Sequence, residues 1–243
     1  MTNQTATIKI NPKRILIGLL VMVLVIVGLS IWGQKIRFFG IADIRGPWHE
    51  FLLDQLMQNF YLDAEGNITT YINALLLFIP ALLLAAISSW KISVKDKFRF
   101  NWVGLALIFF FLSIDEAAVI HENMIKPMRA IAGAEGFFYF AWVIPGMVIV
   151  AIFGLVYLLF FLHLDRKFKI LFLVSLAVYI GGVIGGEMIS GYYASLLGQK
   201  NFTYAVVASL EESIEYIGCS LIIYSLLKYI GHYLPDGISF RVL

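Results

Sequence analysis

The chain is predicted to be an all-α, polytopic integral membrane bundle of six transmembrane helices. Both termini are expected in the cytoplasm, with an interfacial helix in the first outer loop. Three observations predict this. Of 243 residues, 60% are hydrophobic and only 14% charged, whereas a soluble domain is nearer half apolar and a quarter charged. Apolar runs recur at the length of about 20 residues that a bilayer crossing needs. Basic residues are also divided unevenly between the loops.

The first span is expected at about 15–33, behind Lys13 and Arg14. Its apolar run is too long for a signal-peptide core and no small-residue cleavage site follows, so it reads as an uncleaved helix. In the outer loop, Pro47 suits a helix start. Trp48, Phe51, Leu52, Leu56 and Phe60 give that segment an apolar side, as in a helix lying on the outer leaflet. Next comes YLDAEGNITTY. Asp63, Glu65 and Asn67 alternate around Gly66, but the glycine is misplaced for an EF-hand loop. The stretch reads as a turn in which Asn67 or Thr69 caps the second span. That span is expected at about 71–90, and the others at about 101–124, 138–162, 168–197 and 202–230. Pro80 and Pro145 fall inside spans two and four as kinks that neighbouring helices can accommodate. With the N-terminus inside, cytoplasmic segments carry twelve Lys and Arg residues against six outside, which sets the orientation. The chain shows no internal repeat and reads as a single transmembrane domain.

The formal net charge is +2 and no basic patch stands out, which argues against nucleic acid as a partner. The one cysteine, Cys219, excludes an internal disulfide and a cysteine-based metal site. The expected partners are the lipid bilayer and a lipid or small-molecule substrate. The expected location is the cell (inner) membrane, and the sequence carries no signal for an oligomeric state.

Function is expected where acids enter the spans. Span three ends in LSIDEAAVIHE, which holds Asp115, Glu116, His121 and Glu122. At roughly 100° per residue, Asp115 and Glu122 share a direction, with Glu116 and Asn123 beside it. His121 points roughly 120° away from Asp115, so it joins the same site only if the helix breaks near its end. On span six, Glu211, Glu212 and Glu215 lie within about 100° of arc, and Tyr204, Ala208, Gly218 and Cys219 continue the stripe. On span five, Glu187 shares a face with Ser190, Gly191 and Ala194. The expected orientation puts all these acids in the outer half of the membrane. Seven acids facing lipid would cost on the order of 20 kcal/mol. No Lys or Arg stands among them in spans three and six. They must therefore share protons, bound metal or a watery recess, unless Lys126, Arg129 or another outer-loop base folds in. The small-x-x-x-small pairs Gly181–Gly185, Gly182–Gly186 and Gly186–Ser190 allow span five to approach closely enough to join them.

LSIDEAAVIHE, the GGE of span five, EESIEYIG of span six and the DAEGNITTY loop resemble an uncharacterised group of bacterial multi-pass membrane proteins. The group would have proline where Thr69 stands. The likeness covers most of the chain after residue 45 and implies topology, with no activity attached. Alkaline-ceramidase-like hydrolases, which hold zinc with several histidines, are not matched. Only His49 and His121 lie on the acid side, and His163 and His232 sit at cytoplasmic ends.

The function expected is that of a metal-dependent membrane enzyme, a hydrolase or oxidoreductase. Its carboxylates and histidine would suit iron, manganese or zinc. The candidate ligands are Asp115, Glu116, His121, Glu122, Glu187, Glu211, Glu212 and Glu215, with His49 and Glu65 as outer-loop contributors. The Glu-x-x-His pairs of soluble di-iron bundles are missing. A proton- or cation-coupled transporter or channel is the alternative, and a structural or accessory membrane subunit is a third reading.

Overall fold

The computed structural model describes residues 10–40 and 46–235. Lys9, Arg45 and Arg241, which entered the loop-charge argument, lie outside them. Helix α1 spans Pro12–Phe39 and opens on an Asn11 side chain that accepts from the backbone N–H groups of Lys13 and Arg14. Helix α2, Pro47–Asn59, begins at Pro47 as expected and leaves Trp48, Phe51 and Leu52 exposed. Helix α3 spans Ile68–Ser93, with Pro80 in its interior. Asn67 is its cap, accepting from the Thr70 N–H at 2.9 Å. Thr69 instead donates its hydroxyl to the Tyr61 carbonyl and to Asn67.

The third predicted span does not run unbroken to residue 124. Helix α4, Arg99–Ala118, stops where Val119 turns left-handed at φ 56°. A β-branched residue adopts that conformation only under constraint. Two short helices come next, α5 at Ile120–Asn123 and α6 at Ile125–Ala132. After a 3₁₀ turn at Gly136–Phe138, α7 spans Val143–His163. Pro145 therefore lies in a first turn, where its missing N–H would find no helical partner anyway, and not mid-span as a kink. Helix α8, Arg166–Ile180, continues through a π-helical turn, Gly181–Gly186, into α9, Glu187–Leu197. Helix α10 spans Phe202–Tyr233.

Among the described residues, five helices are long and apolar enough to cross a membrane: α1, α3, α4, α7 and the continuous α8–α9 rod. The expected sixth, α10, is not among them. It has the length, about 48 Å at 1.5 Å per residue, but carries three glutamates and Lys228. Its position explains its composition. It packs against α1, α3, α8, α9 and the π turn, so its polar side chains meet protein rather than surroundings.

The rod and α10 approach so closely that three glycines have no substitute. A Cβ on Gly218 would stand 2.5 Å from the Tyr179 Cα. One on Gly182 would stand 2.9 Å from the Glu215 N, and one on Gly186 2.7 Å from the Glu211 Cγ. The Gly182–Gly186 pair thus lays bare backbone over the stems of two glutamates, whereas Gly181 and Gly185, expected to pack as another such pair, meet nothing within 4 Å. Gly218→Ala is expected to lower stability by about 1–3 kcal/mol through overpacking. Gly231→Ala, with nothing within 4 Å, should be neutral or gain up to about 1 kcal/mol of helix propensity. Thermal unfolding in detergent reads both, and equal effects would contradict the close approach.

Away from the acids, the core is aromatic. Trp102 packs on Phe160 and Tyr229 at 5.0 and 4.8 Å, and Phe168 packs on Tyr229 at 5.0 Å. Lys91 and Asp96 close that end with a 2.8 Å ion pair.

Candidate functional site

The break at Val119 builds the first part of the site. It reverses the chain so that His121 folds back on Asp115. The His121 backbone N–H donates to Asp115 Oδ1 at 3.0 Å, and its ring Nδ1 lies 2.8 Å from Oδ2. The helical-wheel angle that separated these two residues is overcome by one left-handed residue. With Nδ1 held by a carboxylate, Nε2 is the nitrogen left to meet a ligand, as in carboxylate–histidine–metal arrangements. The ring also lies 4.8 Å from Trp142, whose indole N–H donates to Glu187 Oε1 at 3.1 Å.

Glu187 stands directly after the π turn. Such a turn inserts an extra residue into the helical repeat and re-aims the side chains beyond it. Its carboxyl group comes within hydrogen-bonding reach of that of Glu211 on α10. Glu211 is only 6% exposed. Glu212 and Glu215 are half-buried. Glu116 reaches the Asn73 side chain, whose buried Oδ1 has no partner among the described residues.

The 60–67 loop closes over this group. Leu62 donates its N–H to Ser30, which pairs with Ser209 of α10 at 2.8 Å. Tyr216 of α10 donates to the Thr69 carbonyl at 2.6 Å. Asp63 then accepts hydroxyl bonds from Tyr61 and Tyr204, each at 2.8 Å. Sequence reasoning read DAEGN as a turn and did not place Asp63 in the site. The signal was present: an acid flanked by Tyr61 and Leu62, both buried, beside a span.

The strongest electrostatic neighbours of Glu116, Glu122, Glu211, Glu212 and Glu215 are largely one another, Glu187 and His121. Asp63, Glu65 and Asp115 belong to the same network. Eight of the sequence candidates, with Glu65 and Asp63, are thus each an electrostatic neighbour of at least one other of these groups. His49 does not join them; it is exposed at the start of α2, its ring against Gly46. Arg129 is engaged elsewhere, donating to the Tyr139 carbonyl and lying 3.8 Å over the Tyr139 ring. Among the described residues, no three His, Cys, Asp or Glu side chains stand close enough to hold a metal ion as they are arranged.

Four acid or histidine groups of this network that lie outside the long helices carry displaced proton affinities. Burial pushes Asp63 up to about 7, against the two tyrosine hydroxyls that pull it down. Burial, with the charges of Glu116 and Glu122, lifts Glu65 to about 8. Burial also raises Glu122, with His121 opposing. For His121, burial favours the neutral ring, but the Asp115 hydrogen bond and the surrounding carboxylates outweigh it and push it to about 9.

A family model described as a domain of unknown function (DUF8692) matches residues 14–229, and the chain belongs to that family. No significant match was found among curated proteins or among solved structures.

Proposed function

We propose that this member of a family of unknown function is a metal-dependent membrane enzyme. Its site is read as the carboxylate–histidine cluster at the loop-covered end of the bundle. The observation that carries the reading is the Asp115–His121 pair. A histidine oriented by a carboxylate through Nδ1, and set among further carboxylates, is the arrangement that presents a second imidazole nitrogen to a cation. Glu116, Glu122, Glu187, Glu211, Glu212 and Glu215 would supply oxygen ligands by side-chain rotation, with the orphaned Asn73 Oδ1 beside Glu116. Asp115 orients and is not itself a ligand. Iron, manganese or zinc fits this donor set. A bound divalent ion supplies a Lewis acid that activates water or oxygen, and the substrate is a lipid or a small molecule.

The transporter reading is disfavoured by the opposite half of the bundle. Trp102, Phe168 and Tyr229 are at most 2% exposed there, and among the described residues no acid chain continues inward from the cluster. Elemental analysis of protein purified without added metal tests the proposal. Stoichiometric iron, manganese or zinc is expected. Its absence, with pH-dependent ion flux in vesicles, would establish the alternative.

Topology is part of the same proposal. Six crossings, with α10 as the sixth, place the cluster in the outer half of the bacterial inner membrane and both termini in the cytoplasm. A cysteine at the exposed Asp54 of α2 should be labelled by impermeant maleimide in intact cells. Cys219 is fully buried and gives no background. Labelling only after permeabilisation would invert the orientation.

A further inference from the structure

Beside the acid cluster lies a cavity of about 340 Å³, lined by Gln34, Arg37, Phe38, Tyr61, Asp63, Gln199 and Lys200. Its volume lies within the range of about 300–1,000 Å³ typical of small-molecule sites. Gln34 is 1% exposed, and neither its Nε2 nor its Oε1 has a hydrogen-bond partner among the described residues. A buried carboxamide left wholly unsatisfied is uncommon and calls for a ligand or water. Two cations line the cavity against one acid, and both hydroxyls on that acid are already committed to it. Asp63 is also the wall shared with the cluster, since it acts electrostatically with Glu187 and Glu122.

We infer that this cavity is a phosphate site: Arg37 and Lys200 hold the charge of a phosphoryl group, and Gln34 and Gln199 hydrogen-bond to its oxygens. An arginine, a lysine and carboxamide donors converging on one space suit an anion with several oxygen acceptors. The phosphate belongs to a lipid headgroup or to a free phosphate. The apolar residues Trp48, Phe51 and Leu52 exposed on neighbouring α2 are what a lipid chain would lie against. The inference rests on the metal-site reading only for its consequence: a phosphoryl group held here brings the attached part of the substrate to the wall of the acid cluster.

The test uses the full chain in a phosphate-free maltoside detergent. Dioctanoyl phosphatidic acid, inorganic phosphate and dioctanoylglycerol are titrated calorimetrically, and metal content is measured on the same preparations. Saturable binding of phosphatidic acid but not of dioctanoylglycerol is expected, weakened at least about ten-fold by Arg37→Gln and by Gln34→Leu. Lys200→Gln, on an exposed turn, repeats the test where Gln34→Leu fails to fold. Tighter binding of the lipid than of inorganic phosphate assigns the headgroup as the source, and equal binding assigns the free ion. No saturable binding of either phosphate compound, or binding unchanged in all three variants, overturns the site. Binding by a parent protein without metal upholds the phosphate site and removes the metal reading instead.

Discussion

On the proposed metal site, Glu187→Gln and Glu211→Gln should each retain less than about a tenth of the iron, manganese or zinc that the parent binds, since even partners outside the ligand shell typically change metal affinity 10–100-fold. The same variants should be at least as stable as the parent once chelator is present. The two expectations come from one contact. The Glu187 and Glu211 carboxyl groups lie within hydrogen-bonding reach, and without a proton or a cation between them they repel. A glutamine at either position supplies its own N–H to the other side chain, so the metal-free protein loses nothing by the change. With metal the order reverses. An ion at about 100 times its Kd stabilises the parent by about 2.7 kcal/mol, and the amide variants forgo this.

Asp115→Asn is the informative companion. The asparagine can still accept from the His121 backbone N–H, as Asp115 does at 3.0 Å, so the chain reversal at Val119 survives. What it loses is the anionic hold on Nδ1, and metal affinity should fall about 10–100-fold. Differential scanning fluorimetry with and without chelator reads all three variants. If the amides lower the melting temperature equally in both conditions, the acids are structural and the shared-ion proposal fails.

The helices were legible where one face of a pattern meets one kind of surroundings. Pro47 and Asn67 marked helix starts, and glycine spacing marked the contact between the α8–α9 rod and α10. The stripe from Tyr204 through Ala208 to Gly218 and Cys219 is buried as its periodicity implies. The acids of spans three, five and six are expected to share a site because each is too costly to face lipid, and their mutual electrostatic influence is in keeping with that. Three features escaped. Val119 turns left-handed although nothing in its residue type favours that; the turn is fixed by the bonds His121 makes to Asp115, six residues back. Trp142 gave no signal, because an indole in an apolar run reads as packing until its N–H is seen to meet Glu187. Asp63 belongs to a loop whose hydrogen bonds come from Tyr204, far along the chain, and local turn chemistry cannot report such a partner.

The chelated protein should become less stable as pH rises from about 5 to 9, and the metal-loaded protein should not. The signs come from the displaced groups. Asp63 is raised from 3.8 to about 7 and Glu65 from 4.5 to about 8. The metal-free fold therefore binds these protons more tightly than the unfolded chain does, and it loses stability as pH climbs through those values. His121, raised from 6.5 to about 9, acts in the same direction. Its imidazolium stabilises fully below about 6.5, and that contribution is gone above about 9. On the proposed reading an ion would replace these protons as the positive charge among the carboxylates, and its binding would release them, so its affinity should rise with pH. Each proton released per ion widens the difference between loaded and chelated protein by about 1.4 kcal/mol per pH unit. Melting curves at half-unit pH steps, with saturating metal and with chelator, should diverge on the alkaline side. In His121→Ala the chelated curve should lose much of its slope above about pH 6.5, and the divergence should shrink because one ligand and one released proton are gone. Parallel curves in the parent would mean that protons alone neutralise the cluster, which is the condition the transporter reading requires.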